Sequence, residues 1–428
     1  MVSLALIFGF MFFMALGVPV SMGLGLATLL ALLISGNTGF LFVIPQQMVE
    51  GVDHASLLAI PFFLLAGNLM NVSGLTDKIF NFATACIGHV RGGLAQVNVL
   101  SNMVMAGISG AAVADCAGLG VIAVPAMEKR GYTRPFAAAI TVAASVIGPI
   151  IPPSIPFVLY AYLAETSVGR MFLGGIVPGI IIGLALILTN YLLSFRYDFP
   201  KEARAPLRQV FRTGLQGIAA LVAPLIIIGS ILTGVVTANE SGALAALYVL
   251  VQGFVYRTLT WQKIWLALRD TVIMTTVIMF IIGFSTAMGW MFAFEQAPQK
   301  IAEVMLSLTT NKYVFLFLLI LFLVILGCIL EGVPAMLITL PLLLPLADQF
   351  GIDRVHFGLI IVFGLLIGIA TPPMGIGLYI MVEIAKVSFE EIVVAVIPFL
   401  VTLTILLFLF TYVPSITTFL PNLLMGAP

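Results

Sequence analysis

Apolar stretches separated by short polar breaks fill this chain. They fall at about 1–17, 19–36, 55–72, 93–127, 134–166 and 171–195, then at 215–236, 240–258, 270–293, 314–347, 354–385 and 391–413. A helix of about 20 apolar residues crosses a hydrocarbon core of about 30 Å, so the pattern predicts an all-α polytopic membrane protein. The 93–127 and 314–347 stretches are too long for one crossing, at roughly 50 Å of continuous helix. The first is broken at Gly107-Ile108-Ser109-Gly110 and has basic residues at both ends (Arg91; Lys129 and Arg130). Equal flanks and a central break predict a re-entrant hairpin. The second, broken around Glu331-Gly332-Val333-Pro334, is its counterpart from the opposite face. The 134–166 and 354–385 stretches contain Gly148-Pro149-Ile150-Ile151-Pro152-Pro153-Ser154 and Gly368-Ile369-Ala370-Thr371-Pro372-Pro373-Met374. Proline removes a backbone donor and clashes with the preceding turn, so both are expected to be crossings broken in the middle. Residues 76–91 and Ala297 to Leu308 alternate polar and apolar positions at helical spacing and read as amphipathic helices in the membrane interface.

These interruptions repeat at an offset of 220 residues. Gly107 matches Gly327, Pro125 matches Pro345, Gly131 matches Gly351 and Arg134 matches Arg354; Gly148, Pro152-Pro153 and Pro178 match Gly368, Pro372-Pro373 and Pro398. The chain therefore divides into a first repeat (1–195), a basic linker (196–214) and a second repeat (215–428). Each repeat has five crossings besides its hairpin, an odd number, so the repeats have inverted topology. With the linker in the cytoplasm, fourteen of the eighteen Lys and Arg residues fall inside. Only Arg170, Lys300, Lys312 and Arg354 fall outside, as the positive-inside rule requires, and both termini are then expected outside. Duplicated, inverted halves with matched helix breakers predict a transporter whose binding site lies between the repeats.

Composition narrows the class. With 61% hydrophobic and 8% charged residues the chain is no ordinary soluble protein, where about a quarter of residues are charged. The first apolar stretch has neither a basic leader nor a small-residue cleavage site and is expected to be retained. Eighteen basic residues balance eighteen acidic ones, which gives no footprint for nucleic acid. Cys86, Cys116 and Cys328 have no metal or redox spacing and read as packing residues. His54, His89 and His356 are expected at membrane edges, and Trp261, Trp265 and Trp290 in the interfacial belt.

A helix broken inside a bilayer exposes carbonyls and amides that lipid cannot satisfy, and is tolerated where those groups line a cavity or hold a ligand. The carbonyls at Gly148, Ile151 and Pro153, with the hairpin tip at Ser109 and Gly110, form one candidate site for a small hard cation. Gly327, Gly368, Thr371 and Pro373, with Glu331, form a second. Sodium suits such neutral oxygen ligands; a proton is the alternative coupling ion. Helix N-termini at the hairpin tips suit an anionic substrate. Intramembrane acids are expensive and mark function, which singles out Asp115, Glu331 and Glu240. For Glu240 the alternative is a helix-terminal acid stabilised by the dipole. Ser154 and its repeat partner Met374 follow the two Pro-Pro pairs and are further candidates for substrate or coupling contacts. No paired catalytic groups at one depth suggest an intramembrane enzyme, and a channel does not need inverted hairpins.

The segments Gly107 to Asp115 (Gly-Ile-Ser-Gly-Ala-Ala-Val-Ala-Asp), Gly148 to Ser154 and Thr371-Pro372-Pro373 resemble the large membrane (M) subunit of TRAP transporters, the tripartite ATP-independent periplasmic carriers. The resemblance covers essentially the whole chain. Ala238-Asn239-Glu240-Ser241 is similar to the family's Pro-Thr-Glu stretch, with Ala-Asn in place of Pro-Thr. The resemblance implies sodium-driven uptake of an organic acid by an elevator movement in the bacterial inner membrane. It also implies a small membrane subunit (Q) and a soluble periplasmic binding protein (P) that delivers a small carboxylate of the sialic acid or C4-dicarboxylate class. A self-sufficient divalent-anion/sodium symporter-like carrier is the alternative.

Overall fold

The computed structural model describes residues 2–36, 38–196, 199 and 204–426. It is helical throughout these residues, and six of its helices are long and apolar enough to cross a membrane. The repeat is visible element by element at the 220-residue offset. Val20–Ile34 corresponds to Ala238–Val255, and the interfacial helix Leu75–Ile87 to Ala297–Leu308. The first hairpin has arms Gly93–Ser109 and Ala112–Glu128; the second has arms Lys312–Ile329 and Gly332–Gln349. The broken crossings are Arg134–Ser145 with Ile155–Leu163, and Arg354–Ile367 with Ile376–Ala385. Val168–Arg196 corresponds to Phe389–Tyr412, and the short helix Ser415–Met425 that follows falls opposite the linker. The linker is shorter than expected, because Leu207–Leu232 already forms helix; Lys201 lies outside the described residues.

The repeats differ in one crossing. Trp261–Phe294 is a continuous helix of 34 residues, about 51 Å long. Its counterpart is split into Val43–Val52 and Ala59–Val72 by an irregular turn at Asp53 and His54. The long helix packs against both pieces and against Val20–Ile34, and Ala238–Val255 packs on Ala59–Val72. These helices form a frame around the hairpins and broken crossings.

The hairpins and broken crossings interlock across the repeats. Ala112–Glu128 packs against Ile376–Ala385 of the other repeat, and Gly332–Gln349 against Ile155–Leu163. Two symmetry-related clasps tie the ends of this unit together. Arg134 donates to Glu128 (2.7 Å) and to the Ala385 carbonyl (3.4 Å). Arg354 donates to Asp348 (2.9 Å) and to the Ala164 carbonyl (2.8 Å). Each arginine joins the end of a hairpin, the start of the following broken crossing and the end of the other repeat's broken crossing. Exposed ion pairs alone are worth about 0–1 kcal/mol, so the clasps contribute mainly by capping the orphan carbonyls of a helix end.

Candidate functional site

The outgoing arm of the first hairpin ends at Ser109. Gly110 follows with φ +60°, and Ala111 is extended (φ −140°, ψ 119°), which redirects the chain into the returning arm. A Cβ on Gly110 would stand 2.6 Å from the Pro153 carbonyl oxygen, so conformation and space both demand glycine. The Ile155 N–H donates to the Gly110 carbonyl at 3.5 Å, which fastens the tip to the first broken crossing. There the Ser154 hydroxyl donates to the Pro149 carbonyl and accepts from the Phe157 N–H (3.2 Å), capping Ile155–Leu163. The carbonyls of Gly148, Ile151 and Pro153 accept no backbone hydrogen bond from the described residues. Pro152-Pro153 and Pro372-Pro373 are both cis.

Asp115 sits in the first turn of the returning arm, 1% exposed, and its carboxylate occupies the space that a side chain on Gly148 would need. A continuous helix would place it about 9 Å beyond Ser109 along the axis. The break at Gly110 and Ala111 removes that constraint and sets the carboxylate beside Gly148, whose N–H donates to the Ser145 carbonyl (3.0 Å) and whose own carbonyl is unbonded among the described residues. Neither Asp115 oxygen has a hydrogen-bond partner among the described residues. A buried charge without a partner is costly, so this carboxylate needs a cation or a proton.

The second site is built from the same parts with a different finish. Leu330 and Glu331 are extended (ψ 148° and 146°), which breaks the hairpin, and Gly327 and Gly368 meet backbone to backbone with no room for a side chain. The Thr371 hydroxyl donates to the Ile367 carbonyl at 2.8 Å. Here the three carbonyls that match Gly148, Ile151 and Pro153 are already engaged. Gly368 accepts from the Thr371 N–H (3.1 Å), Thr371 from the Gly375 N–H (3.1 Å) and Pro373 from the Tyr379 hydroxyl (3.4 Å).

Between the tips lies a cavity of about 220 Å³. One wall is formed by Ala112, Val113 and Ala114 of the first returning arm, the opposite wall by Glu331, Gly332, Val333 and Pro334 of the second. Ile273, Met274, Val277, Ile278 and Ile281 of the long frame helix form the third. The first N–H groups of a helix have no intrahelical partner and carry a partial positive charge, so two returning arms present anion-attracting ends to one apolar cavity. Among the described residues Glu331 is the only titratable side chain in its lining, and none of those lining it is basic.

The structure sets Asp115 against Gly148 and Gly110 against Pro153, with Ser109 on the same tip and Ile151 in the same loop, and groups Gly327, Glu331, Gly368, Thr371 and Pro373 around the second break. Two further candidates, Glu240 and Ser154, make helix-capping contacts in the fold. Glu240 is remote from the cavity; its carboxylate accepts from the Thr237 N–H (2.7 Å) and hydroxyl (2.9 Å) in a capping box. Replacing Glu240 with Ala removes one half of the capping box and should lower the melting temperature while leaving sodium dependence of transport unchanged. A changed sodium response in that variant would return it to the coupling machinery. Ser154 is engaged as a cap, and Met374 is exposed on the far side of the second break. His356, expected at an edge, is 1% exposed, with Nδ1 at 3.0 Å from the Thr417 hydroxyl and Nε2 at 3.2 Å from the Thr411 carbonyl. The arginine clasps were missed, although the 220-residue offset pairs Glu128 with Asp348 as well as Arg134 with Arg354.

Known proteins carry the same architecture. Residues 7–416 match the family model described as "Tripartite ATP-independent periplasmic transporter, DctM component". The sialic acid TRAP transporter large permease protein SiaM of Vibrio cholerae is 38% identical over 98% of both chains. The C4-dicarboxylate TRAP transporter large permease protein DctM of Pseudomonas aeruginosa is 36% identical over 88% of both. The crystal structure of the YdaH transporter of Alcanivorax borkumensis superposes with a TM-score of 0.64 over 90% of each chain at 16% identity, a likeness of fold. The relatives are named as transporter permeases, not enzymes. With its family model matched from the first apolar helix to the last, this multi-pass membrane protein belongs to the DctM family, the large permease component of the tripartite ATP-independent periplasmic transporters.

Proposed function

We propose that this permease takes up an organic acid in symport with sodium, one ion at each break. The carrying observation is the first break, where three unbonded carbonyls, the Ser109 tip and the unpartnered Asp115 carboxylate meet in the buried interior. Neutral carbonyls with one carboxylate form a hard oxygen set suited to sodium. Among the described residues no group of three His, Cys, Asp or Glu offers a transition-metal site. The substrate carboxylate lies in the cavity between the tips, held by the amide ends of the two returning arms. Each sodium entering down 100 mV and a tenfold gradient supplies about 2.3 plus 1.4 kcal/mol, so two ions supply roughly 7 kcal/mol.

Transport proceeds by an elevator movement in which hairpins and broken crossings travel as one body against the frame. The family membership supports a small membrane subunit docked on that frame, a periplasmic protein that delivers substrate, and a place in the bacterial inner membrane with both termini periplasmic. Sialic acid is the first substrate to test, followed by C4-dicarboxylates, the classes named for the relatives above. The test is uptake of N-acetylneuraminate into proteoliposomes holding the permease, its small subunit and the binding protein. Uptake should require an inward sodium gradient and should rise steeply with sodium. Equal uptake in potassium alone would remove sodium as the coupling ion; uptake without the binding protein would favour the self-sufficient carrier.

A further inference from the structure

The two cation sites share a fold but not a state of readiness. At the first break Pro149, Pro152, Pro153 and Ser154 are buried, and Ser154 braces the loop from both sides. The hairpin beside it is pinned along its length. Asn98 donates to the Thr141 hydroxyl of the broken crossing at 2.7 Å, and the Asn102 amide donates to the Asn98 side chain at 3.0 Å. Gln96 donates to the Ile187 carbonyl at 3.1 Å and Arg91 to the Ser194 carbonyl at 3.2 Å. At the second break Pro373 and Met374 are exposed, as is Glu331 on the facing tip. Ser154 is replaced by Met374, which cannot brace the loop, and the helix that follows starts at Gly375 with no side-chain cap. The counterparts of Asn98, Asn102 and Thr141 are Leu318, Phe322 and Ile361, so at these three positions dispersion replaces hydrogen bonds; the second hairpin keeps bonds elsewhere along its arms, from Ser285 to the Leu337 carbonyl and from Tyr412 to the Tyr313 carbonyl. The carbonyls point the same way: free at the first break, hydrogen-bonded within the loop at the second.

We propose that the two cations bind in a fixed order. The first site is pre-assembled and fills without substrate. The second is assembled only when substrate occupies the cavity, because its tip and loop must first close and exchange internal hydrogen bonds for the ion. This rests on the sodium reading above and adds which site carries the substrate dependence. Asn98, Thr141 and Ser154 are then positioning residues for the first cation: they touch no ion but hold the groups that do. Buried polar groups cost free energy unless paired, and an apolar alternative exists in the same fold at the other hairpin. A pre-organised binding site is a function that offsets this cost.

The test is sodium binding to the purified permease with its small subunit and without substrate, read as thermal stabilisation against sodium concentration at constant ionic strength with choline. Wild type should titrate with a Hill coefficient near that of a single site. Ser109→Ala should abolish or strongly weaken the response, and Thr371→Ala should titrate like wild type, although both impair sodium-dependent uptake. Ser154→Ala should weaken substrate-free affinity about fivefold, the ratio set by losing one hydrogen bond of about 1 kcal/mol. Met374→Ala, at the matching position, should leave it unchanged. Equal weakening by Ser109→Ala and Thr371→Ala, or a two-site titration of the substrate-free protein, overturns the order while leaving sodium coupling intact. Sodium-dependent uptake with no substrate-free stabilisation overturns it as well. If uptake itself ignores sodium, the sodium reading falls, and that result is separate from the binding assay.

Discussion

A disulfide between the second hairpin and the frame is expected to stop uptake completely and reversibly. The Ser285 hydroxyl of the long frame helix donates to the Leu337 carbonyl of the returning arm at 2.9 Å, so a cysteine pair at 285 and 337 spans the boundary between the two bodies. Cys86, Cys116 and Cys328 are first replaced to leave a silent background. Oxidation should reduce uptake to the level of empty vesicles, and reductant should restore it. The control lies within the frame, where Asn68 donates to Thr271 at 3.0 Å; a pair at 68 and 271 should oxidise without loss of transport. The physical basis for the proposed movement is that the arms of the hairpins and the broken crossings interlock across the repeats and are clasped at both ends by Arg134 and Arg354, which favours their travelling together. If the frame pair blocks transport as fully as the boundary pair, the division into moving and static bodies is wrong.

The second large effect is expected at Asp115. Its carboxylate is buried beside Gly148 without a hydrogen-bond partner among the described residues, and the cation proposed for the first break would neutralise it. For charges about 5 Å apart in an effective dielectric of 20, that attraction is worth about 3 kcal/mol, or roughly a hundredfold in affinity. Asp115→Asn keeps the shape and removes the charge. The sodium concentration for half-maximal uptake should rise by up to that factor, and the Hill coefficient should fall because the repeat counterpart, Ala335, leaves the second site without such a group. Asp115→Glu lengthens the side chain into the space that only a glycine at 148 provides, and should also fail. An Asn variant with the wild-type sodium response would show that the carboxylate is carried neutral and serves packing alone.

Some elements were legible because their cause is local. Proline pairs and the Ser109-Gly110 tip interrupt helices wherever they stand, and inside a bilayer such interruptions have few uses. Elements without breakers or long apolar runs were not legible. Val43–Val52 carries Gln46, Gln47 and Glu50 and falls outside the apolar stretches, yet it packs on the long frame helix. Ser415–Met425 is too short to cross and was not anticipated; it is held by His356 and by Arg170, which donates to Asn422 at 2.7 Å. Glu240 reads equally as coupling acid or helix cap along the chain, and only the position of Thr237 decides.

The sequence by itself determined the class: a membrane protein of two inverted repeats, each with a hairpin and a broken crossing, and a short list of candidate groups at the breaks. Those conclusions rest on backbone chemistry, since a missing donor or a left-handed glycine acts within a turn of its own position. Which carbonyls stay free, which acid meets them and which break is braced were decided only by tertiary structure. Asp115 reaches Gly148 because a hairpin tip folds onto a broken helix, and Ser154 is a brace because Pro149 lies within reach of its hydroxyl. The repeats share one template, but the polar face of Asn98 and Asn102 meets Thr141 in one half while Leu318 and Phe322 stand at those places in the other. Readiness to bind an ion depends on such contacts between segments distant along the chain, where burial makes each hydrogen bond or its absence count.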